Sequence, residues 1–142
     1  MAEQGAADEA LWQKVKDFAS LPPTDATRDA LLAEAPLHTI AHLLVDGSKA
    51  ETVCRCISKL VSGGRDDILY APDGVGLLRA GIEHNNRIVR AATIGLIKGM
   101  TSRADGLACV ISSGLLAAVG GAVRDRELSV SNAASGAILG VA

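Results

Sequence analysis

Aromatic residues are almost missing from this chain: Trp12, Phe18 and Tyr70 are the only three in 142 residues. A core without large rings must be built from Leu, Ile and Val together with many Ala and Gly, whose small size lets helix backbones approach closely. Strand signals are nearly absent too. No stretch sustains apolar/polar alternation, and no Asn-Gly or Asp-Gly pair joins two β-branched runs. Charge of one sign is not in excess: 14 basic against 16 acidic residues give a formal net charge of −2. This leaves no basic field to hold a nucleic-acid backbone, and no long acidic run forms a solvating tail.

Cysteine is scarce and odd in number. Cys54, Cys56 and Cys109 lack the spacing of a disulfide framework, which points to a reducing compartment, the cytoplasm with the nucleus as a second location. The opening residues Met1, Ala2, Glu3, Gln4 and Gly5 carry neither a basic segment nor an apolar one, so no signal peptide is expected. One uncharged stretch, residues 106–123, approaches the lower length limit for a membrane span. Ser112, Ser113 and Gly114 interrupt it, and no aromatic belt flanks it. Two short buried helices joined at Ser113 and Gly114 are expected there, and no membrane partner.

What is present is apolar and helical. Hydrophobic residues make up 49% of the chain, too many for a disordered one. The length suits an ordinary domain that buries roughly two-thirds of its unfolded surface. Residues 6–20 place Leu11, Val15 and Phe18 on one stripe with Trp12 beside it, and put Asp8 and Glu9 in the favourable first turn. Pro22 and Pro23 end this helix, and Thr24 or Asp25 caps a second one carrying Leu31 and Leu32. Pro36 opens a third helix over 37–45, closed by Asp46 and Gly47. A fourth, over 49–62, buries Val53, Ile57, Leu60 and Val61 and stops at Gly63 and Gly64. Residues 65–73 read as turn-rich. Further helices are predicted over 74–83, 87–102, 104–112, 115–124 and 128–142.

The spacing of these helices carries more information than any one of them. Residues 89–100 laid over 130–141, a displacement of 41, match at Val89/Val130, Ala92/Ala133, Gly95/Gly136, Ile97/Ile138 and Gly99/Gly140. The helix that begins near Thr52 fits the same frame more loosely, at 36 or 37. A period near 40 with two or three helices per unit is the pattern of armadillo and HEAT repeats, in which each unit buries its apolar face against the next. Gly95, Gly99, Gly136 and Gly140 are expected to let the layers approach closely. The fold predicted is all-α, an armadillo/HEAT-like right-handed helical repeat solenoid (an α-α superhelix). Residues 1–47 would be N-terminal helices that cap it, and 48–142 the repeats. Because Gly140, Val141 and Ala142 fall inside an apolar helix without a polar cap, the repeats are read as truncated at the C-terminal end.

Residues 51–61 resemble an early helix of the 26S proteasome non-ATPase regulatory subunit 5 family. The shared pattern is Thr-apolar-Cys-x-x-Ile-x-x-x-apolar, carried by Thr52, Val53, Cys54, Ile57 and Val61. Residues 78–84 followed by Val89, and then residues 128–134, are similar to the family's next two layers. The opening from Ala7 to Leu11 and on through Phe18, Ala19 and Ser20 fits its N-terminal helix. The resemblance implies a non-catalytic, cofactor-free chaperone for assembly of the base of the proteasome regulatory particle, binding a proteasomal ATPase subunit through that subunit's C-terminal domain. The family's members are several times longer than this chain. A generic armadillo scaffold or adaptor is the alternative, and a small helical membrane-associated protein a more distant one.

Catalytic patterns are weak. His38 and His42 are four apart, a metal-sharing spacing, but Thr39 stands where a zincin needs Glu, and neighbouring Cys54 and Cys56 point along different directions. Gly74, Gly76 and Gly81 have the wrong spacing for a dinucleotide loop and follow no strand. Ser113 has no base near it in sequence, and Asp66 and Asp67 read as solvated acids. Neither an enzyme nor a metal site is expected. Protein binding is therefore assigned to the last helix of each unit, which lines the concave face of such solenoids. Its candidate residues are Arg55, Lys59, Arg87, Arg90 and Lys98, joined by Arg124 and Arg126 in the turn before the last helix. Arg87 and Arg90 lead, since one helix presents both.

Overall fold

A computed structural model describes residues 2–62, 66–70 and 72–141, with side chains at all of these except 2–8, 45, 66, 140 and 141. It is all-helical, with no strand among the described residues. The chain divides into two compact units, Met1–Ser62 and Gly63–Ala142.

The first unit holds α1 (Ala2–Ser20), α2 (Asp25–Glu34), α3 (Leu37–His42) and α4 (Ala50–Val61). Helix α1 starts four residues earlier than the sequence pattern suggests, so Asp8 and Glu9 fall beyond its first turn. Thr24 caps α2: its hydroxyl accepts the Thr27 N–H at 3.1 Å, while the Thr27 hydroxyl accepts the Thr24 N–H at 2.9 Å. Pro36 sits just before α3, where its missing N–H costs nothing. Helix α3 is shorter than predicted, because the chain tightens into 3₁₀ turns over Leu43–Val45 and Gly47–Lys49. Helix α4 packs on α1 and α3 and buries Val53, Cys56, Ile57 and Leu60 along one face, against Val15 and Phe18 of α1 among others. Val61, expected on that face, is half-buried at its edge. The predicted stop of α4 at Gly63 and Gly64 lies outside the described residues.

The second unit begins with a 3₁₀ turn, Asp66–Tyr70, followed by α5 (Pro72–Ile82), α6 (Arg87–Met100), α7 (Ala104–Ser112), α8 (Leu115–Ala122) and α9 (Leu128–Val141). Pro72 opens α5 rather than belonging to a loop, since a proline fits the first helical turn. Between α7 and α8 the chain turns at Gly114, whose φ of 81° is open to glycine at no steric cost, and the two helices bend by 79°. The expected pair of short helices is thus present, with Val110, Leu115 and Val119 fully buried or nearly so. No single helix among the described residues is long and apolar enough to cross a membrane; only this bent pair reaches the length and composition together.

The 41-residue period acquires a geometry here. Helix α6 and helix α9 are both 14 residues long, and their ends, Arg87/Leu128 and Met100/Val141, are each 41 apart. Helix α5 packs on α6, and α8 packs on α9. Across the period, α7 meets the Asp66–Tyr70 turn, α8 meets α5, and α9 meets α6. Each element therefore lies on its counterpart one period away. The turns repeat as well. The Asn86 N–H donates to Nδ1 of His84 at 3.0 Å, and the Glu127 N–H donates to Oδ1 of Asp125 at 2.9 Å. Leu78, Ile94, Ile97 and Met100 form a continuous core with Val110, Leu115, Val119, Val130 and Ala134.

The glycines that permit close approach are not those the pattern singles out. A Cβ on Gly95 or Gly99 would meet nothing within 4 Å, and one on Gly136 would meet only the Lys98 ammonium at 3.6 Å. Gly95 and Gly99 lie on the solvent side of α6, and half-buried Gly136 faces only the flexible Lys98 side chain, so at none of them does a missing side chain bring backbones closer. Gly140 lies outside the residues whose packing is described. The close contacts fall elsewhere: a Cβ on Gly81 would sit 2.2 Å from Oγ1 of Thr93, and one on Gly106 would sit 2.1 Å from the Met100 carbonyl. Gly81 is thus the point where α5 is pressed onto α6.

Candidate partner-binding surface

The seven basic residues singled out from sequence do not form one ladder. Arg55 and Lys59 lie one turn apart on α4, in the first unit. Arg87, Arg90, Arg124 and Arg126 gather where the start of α6 meets the turn before α9. Lys98 is at the far end of α6, about 16 Å along the axis from Arg87 at 1.5 Å per residue.

Two of the seven are consumed by the fold. The Lys59 ammonium donates to the carbonyls of Ala19 (2.5 Å) and Leu21 (3.1 Å), capping the C-terminal end of α1. Arg90 forms a two-pronged pair with Asp125, Nε to Oδ2 at 2.8 Å and a terminal nitrogen to Oδ1 at 3.2 Å. Its other terminal nitrogen donates to the carbonyls of His84 and Asn85, both at 3.0 Å. Arg90 and Asp125 are each only 14% exposed. The pair fastens one period to the next, so Arg90 is a structural residue rather than the leading contact for a partner. A hydrogen bond from the Glu127 N–H, followed by the Arg90 guanidinium, holds the Asp125 carboxyl below its usual pKa.

The other five are exposed. Arg55 pairs with Glu51 at 3.4 Å along α4, and Arg87 lies 3.7 Å from Glu127. Such exposed pairs are weak and easily exchanged for a partner's carboxylates. Lys98 makes no ion pair among the described residues. Arg126 stands beside Asp125 and adds to its positive surroundings. Arg124 lines a groove of about 410 Å³ between the end of α5 and α8. The groove's floor is made of Ala117, Ala118, Gly121 and Ala122, with Glu83 on its wall. Small side chains there leave room for a partner's backbone or side chain, and Arg124 supplies a charge-bearing donor at the edge.

Several functional-looking groups missed from sequence belong to the frame. Arg28, 7% exposed, donates from Nε to the Lys59 carbonyl (3.0 Å) and from its terminal nitrogens to Ser62 Oγ (2.8 Å) and Asp25 (3.1 Å). It ties α2 to the end of α4. The Trp12 ring is within cation–π reach of both the Lys16 and the Lys49 ammonium groups, 5.5 and 5.1 Å from its centre. Nothing in the local pattern marked Arg28 as buried, since the partners that tie it to α4, Lys59 and Ser62, come from more than 30 positions away. Asp125 carried a legible signal: it is the counterpart of His84 one period earlier.

His38 and His42 are both exposed, while Cys54 is half-buried and Cys56 buried. No group of three or more His, Cys, Asp or Glu side chains among the described residues is placed to hold a metal ion. Burial pushes the Cys54 thiol up to about 11 and the Cys56 thiol up to about 12. Both stay protonated at neutral pH, the form that is a poor nucleophile and a poor ligand.

Comparison with known proteins finds no matching family model, no matching curated protein and no matching solved structure. What the structure defines directly is an all-α chain whose second unit repeats its elements at 41 residues.

Proposed function

We propose that the chain is part of an armadillo/HEAT-like right-handed solenoid that binds another protein and catalyses nothing. The observation that carries this reading is the stacking of three successive elements on their counterparts: α7 on the Asp66–Tyr70 turn, α8 on α5, and α9 on α6. Layers of this kind have no deep cleft for chemistry but offer side chains at regular intervals along a surface. The exposed basic residues Arg55, Arg87, Lys98, Arg124 and Arg126 are side chains that such a surface offers to a partner.

The partner follows from the resemblance of residues 51–61, 78–84 and 128–134 to the 26S proteasome non-ATPase regulatory subunit 5 family. On that basis the protein is an assembly chaperone for the base of the proteasome regulatory particle. It would act in the cytoplasm and nucleus on the C-terminal domain of one ATPase subunit. Arg55, Arg87, Lys98, Arg124 and Arg126 are the exposed cations available to an acidic face of that domain, and Arg124 is placed best, at the edge of the groove. The test is size-exclusion chromatography of the purified chain with each of the six isolated ATPase C-terminal domains. Co-elution with one domain and not the other five is the expected result. A folded chain that binds none of them contradicts the chaperone assignment and leaves the scaffold reading.

A further inference from the structure

The groove between the end of α5 and α8 carries an unspent charge on each side, and the two charges are counterparts. Glu83 follows α5 and Arg124 follows α8, 41 positions later. Both are exposed, and neither forms a hydrogen bond or ion pair among the described residues. Asp125, which also lines the groove, is held by Arg90 and by the Glu127 N–H. The opening lies on the side of the stack, away from the place of a following layer. Gly76 and Ala80, the α5 counterparts of Ala117 and Gly121, stay exposed although α8 packs on α5. The floor is also smaller than the fold requires. A Cβ on Gly121 would meet nothing within 4 Å, so this glycine, which weakens a helix interior, brings no elements of the chain closer.

We infer that this groove docks an α-helix of a partner protein, with a basic side chain facing Glu83, an acidic one facing Arg124 and a large apolar one seated on Ala117, Ala118 and Gly121. The inference rests on the protein-binding reading, but not on which protein is bound. Charge selects the occupant's composition: a segment of one sign alone is repelled at one of the two walls. Spacing selects its conformation. Packed helices lie about 8–10 Å apart, which sets the separation of counterpart positions on α5 and α8. A partner helix places side chains i and i+7 on one face about 10.5 Å apart, with i+3 and i+4 between them. An extended strand offers about 7 or 13 Å along one face and fits the two charges poorly. The apolar residue at i+3 or i+4 then falls over the small floor, in a groove of about 410 Å³.

Selection of a phage-displayed library of helical peptides, randomised on one face, against the immobilised full chain tests this. Enriched peptides are expected to carry a base and an acid seven positions apart with a large apolar residue between them. Gly121→Gln should weaken their binding at least about tenfold while raising the melting temperature, a combination that misfolding cannot produce. Glu83→Lys should weaken it as much, and replacing the peptide's base by Glu should restore binding to that variant. A library that yields no peptide sensitive to Gly121→Gln, or a Glu83→Lys loss without rescue, overturns the inference. The ATPase domains distinguish it from the chaperone assignment. If none of them binds while the peptides behave as stated, the assignment falls and the docked helix stands. If one binds and neither Gly121→Gln nor Glu83→Lys weakens it, the docked helix falls and the assignment stands.

Discussion

Arg28 shows how a single residue can look like surface in the sequence and be part of the frame in the fold. Its guanidinium spans α2 and the end of α4, bonding the Lys59 carbonyl and the Ser62 hydroxyl in a nearly buried position. Arg28→Ala removes the nearly buried guanidinium from the Ser62 hydroxyl and from the Lys59 carbonyl, which keeps Ser62 as its other donor, and should lower stability by about 1–3 kcal/mol, measured by urea unfolding. A loss within error would show that the acceptors are rehydrated. Asp125 makes a prediction in pH. Its folded pKa is depressed, so its contribution is present above the unfolded aspartate pKa of about 4 and disappears as pH falls through the lower folded value. The melting temperature of the wild type should exceed that of Asp125→Asn by a steady margin from pH 7 to about 5, and the margin should shrink below pH 4. A margin that instead grows on acidification would contradict the pairing with Arg90 and the Glu127 N–H. Lys59 and Arg90, read from sequence as partner contacts, are spent within the fold: Lys59 on the Ala19 and Leu21 carbonyls, 40 and 38 positions away, and Arg90 on Asp125, 35 away, besides the nearby His84 and Asn85 carbonyls. Local pattern cannot reveal such partners.

At the scale of the element, most of the fold was legible. The capping Thr24, the break at Ser113 and Gly114 and the matched ends of α6 and α9 follow from short-range chemistry and from period. The role of individual glycines was not legible, since a glycine facing solvent and one facing a helix read alike in a single sequence. Their difference gives a sharp comparison. Gly95→Ala and Gly99→Ala meet open space in helix interiors and should each raise stability by about 0.5–1 kcal/mol. Gly81→Ala forces a methyl onto the Thr93 hydroxyl and should lower stability by about 1–3 kcal/mol. Thermal or urea unfolding of the three variants checks both signs. Equal effects at Gly81 and Gly95 would mean that α5 and α6 are not pressed together at Thr93. Helix boundaries moved by one to four residues at several ends, where the 3₁₀ turns after α3 and the early start of α1 depend on what packs beside them.

At the scale of the whole molecule, the proposed function rests on repetition rather than on a site. The second unit places each element on its counterpart 41 residues away, and the Arg90–Asp125 pair and the Gly81–Thr93 contact stiffen that arrangement. A partner that reads the exposed cations should feel Arg124 most, because it alone borders the groove floored by Ala117, Ala118, Gly121 and Ala122. Arg124→Glu should weaken binding to the selected ATPase domain at least about tenfold, with unchanged thermal stability, as measured by titration calorimetry. Lys59→Glu, by contrast, should reduce stability first, since its ammonium caps α1.

The stacking itself is open to one direct measurement: methyl-resolved nuclear Overhauser spectroscopy of the wild-type chain in solution. Stacked repeats require through-space contacts between α5 and α8, between α6 and α9, and between the Asp66–Tyr70 turn and α7. Finding all three sets, with Ile94 and Ile97 connected to α9, is the predicted result. Their absence, with α8 and α9 forming a hairpin detached from α5 and α6, would contradict the repeat architecture and the binding function proposed from it.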